Sequence, residues 1–149
     1  MIKLRTLLFI FLAPLLCLAE DKEEPRKSYM VIVNSENIIE HITRNELVVI
    51  YLGKKTLWEN EIRIIPAMLY ERKKPMREFI EAELHKTLGQ YRAYWKRRLF
   101  SGGGTVPRTF RTAKELMNFV ARKPGAIGIV PAGTELIEGV KAVDNGTEP

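Results

Sequence analysis

The stretch Lys123-Pro124-Gly125-Ala126-Ile127-Gly128-Ile129-Val130-Pro131 decides the fold. Proline at 124 cannot continue a helix, and glycine at 125 accepts the left-handed backbone with which helices often exit. Residues 126–130 form a short apolar run between turn residues, which suits a buried strand. Gly128 carries no side chain, so a neighbouring element can lie close against that strand. Just upstream, Thr112 and Glu115 form a T-x-x-E capping box. Ala113, Leu116, Met117 and Val120 then share one face of the helix it opens. Helix, tight exit and buried strand together make one arm of an α/β layer.

Working outward, residues 29–33 (Y-M-V-I-V) are apolar on both parities, as expected of a strand covered on both faces. Asn34 and Ser35 follow as a turn. Thr43 and Glu46 make a second capping box, with Leu47, Ile50 and Tyr51 on one face and Gly53 as the exit. Trp58 reads as a core or rim anchor. Residues 62–65 (I-R-I-I) are predicted as the second strand, ended by Pro66. Pro75 suits a first helical turn, and Met76, Ile80, Leu84 and Leu88 repeat every four residues, which predicts a helix over 75–88. A further helix is predicted over 90–100, with Tyr91, Tyr94, Trp95 and Leu99 inward. The glycine-rich segment 101–107 is a loop. Residues 133–149 are expected to add a peripheral strand or loose arm around 136–143, with a frayed end. Strands alternating with helices predict a single α/β domain over residues 28–132, a mixed or mostly parallel sheet with helices on both faces.

The 149-residue chain carries 24 basic and 18 acidic side chains, a net charge of +6, with 46% hydrophobic residues. That is a globular composition with room for one core. Residues 1–19 read as a signal peptide. Lys3 and Arg5 precede an apolar run over 7–18 that is too short to span a bilayer, and Ala19 is followed by a charged linker over 20–27. Cleavage near Ala19 places the protein in the periplasm and leaves no transmembrane span. It also removes Cys17, the sole cysteine. The large Leu16 before Cys17 argues against lipidation of that thiol. Without Lys3 and Arg5 the basic count falls from 24 to 22 against 18 acids, a balance of +4. This slight excess favours anionic partners without demanding nucleic acid.

Catalytic patterns are missing from the sequence. His41 and His85 have no partner at metal-ligand spacing, and no nucleophile elbow, zinc-protease helix or P-loop motif occurs. The carboxylates are interspersed with basic residues as ordinary ion pairs. No enzyme, metal or cofactor is expected. The aromatics of residues 91–98 share a stripe with Leu99 and read as core, so no nucleic-acid partner is expected either. The best ligand candidate is the basic run Glu71-Arg72-Lys73-Lys74-Pro75-Met76-Arg77. It leads directly into a helix N-terminus, where free N–H groups and the dipole attract anions.

In order along the chain stand V-I-V-N (residues 31–34), I-Y-L-G-K (50–54) with Trp58, I-R-I-I-P (62–66), Trp95, a G-x-G-T loop (102–105) and P-G-A-I-G (124–128). This series resembles the periplasmic phosphate-binding proteins of ABC importers, over residues 29–132. The resemblance implies a type II periplasmic-binding-protein fold. Full-size members clamp their ligand between two α/β lobes, so a chain of this length is expected to form one lobe, most similar to the second. The family holds phosphate with an R-x-D-x-S-G-T segment after the strand matched to residues 62–65. Here Lys74-Pro75-Met76 stands roughly in the place of S-G-T, and the Asp is absent. The resemblance therefore implies an exported, non-enzymatic solute-binding-like protein that takes phosphate or another small anion weakly, at Asn34, Ser35, Arg72, Lys74 and Arg77. Its partner would be an ABC importer or another envelope protein. The alternative is a non-transport periplasmic interaction module built on a single lobe.

Overall fold

The computed structural model describes residues 27–146. The expected signal peptide and most of the linker lie outside them. Five strands and four helices follow in the order β1 (Tyr29–Asn34), α1 (Arg44–Tyr51), β2 (Ile65–Leu69), α2 (Lys74–Ala82), α3 (Leu88–Phe100), β3 (Arg108–Phe110), α4 (Ala113–Ala121), β4 (Ala126–Pro131) and β5 (Val140–Val143). They build one sheet in the order β3-β2-β4-β1-β5. β2 pairs in parallel with both β3 and β4. β1 pairs antiparallel with β4 and with β5. Four strands thus run one way and β1 runs against them. The expected mixed α/β sheet is present, and the 126–130 run is its central strand.

Helices cover both faces. Residues alternate across a strand, so Ile32 and Asn34 face one layer while Tyr29, Val31 and Val33 face the other. α4 lies on the first face. There a Cβ added to Gly128 would stand 2.6 Å from Leu116 Cδ2 and 3.1 Å from Ile32 Cγ1. The missing side chain lets α4 settle onto β4, as the sequence suggests. The other face carries α1 and α2. The Phe79 ring packs edge-on to Tyr29 and Tyr51, with centroids 5.3 and 5.0 Å away. The Tyr51 hydroxyl donates to the Ala67 carbonyl at 2.8 Å. Burial pushes the Tyr51 pKa up, so the hydroxyl keeps its proton for that bond. α1 and α4 each start with the expected capping box.

Several boundaries differ from expectation, each for a physical reason. The second strand is Ile65–Leu69 rather than 62–65, and Pro66 lies within it. Ile65 N–H donates toward β4, to Gly125 O at 3.0 Å. The next residue's nitrogen therefore faces the β3 side, where pairing starts only at Ala67. Pro66 has no donor to lose there. Residues 56–64 instead form a tight turn on which Trp58 is buried.

The predicted 75–88 helix is two elements. α2 stops at Ala82, and His85 takes a positive φ of 49°. Thr87 and Gln90 then make a T-x-x-Q capping box that opens α3. Leu99, expected inward, is 60% exposed. β3 is an unanticipated edge strand. Residues 133–146 contribute β5, which joins the sheet beside β1.

Gly125 also differs from its sequence reading. Its φ is not positive. What it supplies is space: a Cβ there would lie 2.0 Å from the Arg63 carbonyl oxygen. Its own carbonyl accepts from Ile65 N–H and from Trp58 Nε1 at 3.1 Å. The glycine is the point where the 56–64 turn, β2 and β4 meet.

Candidate functional site

The C-terminal ends of β2 and β3 open onto a polar groove of about 710 Å3 lined by Tyr70, Glu71, Arg72, Lys73, Arg92 and Thr109. The β2–α2 connection forms one wall. Lys73 is the N-cap residue of α2 and has no side-chain capping bond, and no acidic residue occupies the first turn. Such a helix start exposes uncompensated positive potential. Met76 and Arg77 N–H groups both turn back to Lys73 O at 3.0 Å. Pro75 has no N–H. The Lys74 N–H is therefore the donor left at this end, with no backbone partner among the described residues. Attraction for an anion must come mainly from the side chains.

Those side chains are solvated. Arg72, Lys73, Lys74 and Arg77 are all exposed. Lys74 Nζ lies 3.6 Å from Glu78 Oε1, a loose pair one helical turn on. Glu71 is engaged by Arg92 of α3, which ties the turn to that helix. Three basic residues, Arg72, Lys73 and Arg92, thus face one paired carboxylate across the groove. This arrangement can attract an anion by charge but cannot dehydrate it as an enclosed cradle would.

The five residues predicted as a site do not come together. Arg72, Lys74 and Arg77 sit at the end of the sheet where β2 finishes. That end also holds Pro131 and its partner Tyr29. Asn34 lies five residues further along β1, about 16 Å away at strand rise. It stands at the opposite end, beside Val140. Ser35 follows it there, its N–H donating to Gly139 O.

Asn34 is also occupied. Its Nδ2 donates to Val120 O at 2.9 Å and Ala121 O at 3.0 Å, and its Oδ1 accepts from Glu36 N–H at 2.9 Å. It is 3% exposed and closes the C-terminal end of α4, whose last carbonyls lack helical partners. Asn34→Ala should therefore cost about 1–3 kcal/mol in stability, because Ala121 O loses its donor and Val120 O keeps only the backbone bonds from the residues that follow it. Urea unfolding checks this, and any anion affinity should stay unchanged.

Arg92, which is not among the residues the sequence offers as a site, also lines the groove. Only the fold of α3 against the β2–α2 turn reveals it, since Arg72 and Arg92 are 20 positions apart in the sequence. Among the described residues, no group of three or more His, Cys, Asp or Glu side chains is placed to hold a metal ion. No described helix is long and apolar enough to cross a membrane.

The fold is that found in the binding proteins of phosphate transport. Among solved structures, an ABC-type phosphate transport receptor from Vibrio cholerae superimposes with a TM-score of 0.59 at 20% identity, covering 78% of this chain and 45% of that one. PstS from Borrelia burgdorferi gives a TM-score of 0.62 at 17% identity, over 82% of this chain and 49% of that one. At such identities the likeness establishes architecture. The chain spans less than half the length of these proteins, as the single-lobe expectation requires. No family model matches the sequence, and no curated protein matches it.

Proposed function

We propose that this is an exported, non-enzymatic solute-binding-like protein that takes phosphate or a similar small anion weakly at the β2–α2 turn, beside an ABC importer. The observation carrying this reading is the groove that Arg72, Lys73 and Arg92 line at an uncapped helix start, with Lys74 and Arg77 on the first turn of that helix, on a fold shared with phosphate transport receptors. Export rests on the leader-like residues 1–19. Binding is weak because the groove is open, Pro75 removes a donor and no hydroxyl caps α2. Asn34 and Ser35, at the far end of the sheet, take no part.

Isothermal titration at low salt with phosphate and with sulfate tests the reading. Affinity in the millimolar range is expected, falling as salt is added. Charge reversal at Arg72 or Arg77 should weaken binding by about 2- to 5-fold. Absence of heat at millimolar anion would end the proposal.

A further inference from the structure

Beside the polar groove runs a second, apolar one of about 630 Å3 between α3 and the β2–β3 side of the sheet. Met68, Trp95, Leu99, Phe100, Val106 and Pro107 supply its apolar lining. The two grooves share Glu71, Arg92 and Thr109, so they are neighbouring parts of one trough. One end of the trough is cationic, with Arg72, Lys73 and Arg92. The other is apolar, and its volume falls within the range of small-molecule sites.

Three features of the apolar end have no structural purpose in the isolated chain. Phe100 is 84% exposed and Leu99 60%, adjacent on the last turn of α3. Contiguous exposed apolar side chains mark contact surfaces. Trp95 is 5% exposed, and its indole N–H, which approaches the Tyr91 hydroxyl one helical turn back, makes no hydrogen bond of normal geometry. Finally, α3 carries no acidic residue and turns Arg92 toward the trough, where the carboxylate of Glu71 is paired with it. Lys96 also lines the apolar groove. Charge around the trough therefore selects an anion, and the lining selects one with an apolar body.

We infer that the trough binds a small amphipathic anion, such as an alkyl or aryl phosphate or carboxylate. Its head lies among Arg72, Lys73 and Arg92, and its apolar body lies over Met68, Trp95, Val106 and Pro107 beneath Leu99 and Phe100. This builds on the anion reading of the β2–α2 turn and narrows its ligand class. Inorganic phosphate would use only half of the site.

Titration of the full chain with octyl phosphate below its micelle concentration tests this, alongside inorganic phosphate, octyl glucoside and phosphatidylglycerol vesicles. Octyl phosphate should bind at least about tenfold more tightly than inorganic phosphate, since burying even two methylenes suffices for that factor. It should also change the tryptophan emission. Phe100→Ser and Leu99→Ser, both at exposed positions that the core does not need, should reduce the ratio of the two affinities at least about threefold. Equal affinity for octyl phosphate and inorganic phosphate overturns the inference while leaving the anion reading standing. Octyl phosphate binding without any response to inorganic phosphate supports the inference and overturns that reading. Equal binding of octyl glucoside overturns the requirement for an anion. Binding to vesicles without binding to monomeric octyl phosphate overturns the inference in favour of a membrane surface.

Discussion

Gly125→Ala is expected to destabilise the fold by about 3 kcal/mol or more, at or beyond the upper end for overpacking. The obstacle is the Arg63 carbonyl oxygen, 2.0 Å from the added methyl. A flexible side chain could swing away from such a clash, but a backbone carbonyl cannot move alone. Displacing Arg63 would pull at Ile64 N–H, bonded to Thr56 O at 2.9 Å, and at Ile65 N–H, bonded to Gly125 itself. It would also disturb the Trp58 indole, which donates to the Gly125 carbonyl. The first bond holds the 56–64 turn together and the other two tie it and β2 to the start of β4, so the cost spreads into the sheet. Urea unfolding followed by tryptophan emission reads both the stability and the Trp58 environment. A loss below about 1 kcal/mol would mean that the close approach of the 56–64 turn to β4 is wrong.

The second large effect is expected at Phe79. Its side chain is fully buried and bridges the Tyr29 and Tyr51 rings, with interplanar angles of 75° and 72°. Phe79→Ala should cost about 3–5 kcal/mol from lost transfer energy and the cavity left behind. The consequences reach two polar anchors. Tyr51 would lose the support that aims its hydroxyl at Ala67 O. Tyr29 donates to the buried carboxylate of Glu83, which Arg44 also pairs at 2.5 Å. Burial, together with the Glu83 carboxylate, holds the Tyr29 pKa well above the usual phenol value, so this donor stays protonated. Loosening it would expose a carboxylate sealed at the end of α2. Phe79→Leu retains much of the apolar volume and should lose less stability in the same denaturation assay.

The parts of the fold legible in the sequence are those with strong local codes. Thr43 with Glu46 and Thr112 with Glu115 declare two helix starts through a bond pattern spanning four residues. The 126–130 run declares a central strand because it is apolar on both parities. Where legibility failed, tertiary context had overruled a local rule. Pro66 looks like a strand end, but its missing donor faces a side where β3 has not begun. The four-residue apolar spacing through Leu84 and Leu88 imitates one helix. Leu84 is buried in the turn and Leu88 opens the next helix. The T-x-x-Q box at Thr87 carried the correct signal. β3 has two exposed residues among its three, so no periodicity betrays it.

The candidate site was half legible. The basic run before Pro75 is visible in composition, whereas the separation of Asn34 from it depends on β1 running against β2. A strand direction of that kind has no local signature. Arg92 enters only because α3 folds back over the β2–α2 turn. The phosphate-transport resemblance, carried by short motifs in order, matches the architecture that the solved structures share with this chain.

The most direct test is a phosphate titration of isotope-labelled protein followed by backbone amide shifts. Saturable changes at Arg72, Lys73, Lys74 and Arg77, led by the free Lys74 N–H, with Asn34 and Ser35 unmoved, are the predicted result. Shifts centred on Asn34 and Ser35, or none at the β2–α2 turn up to millimolar phosphate, would contradict the account.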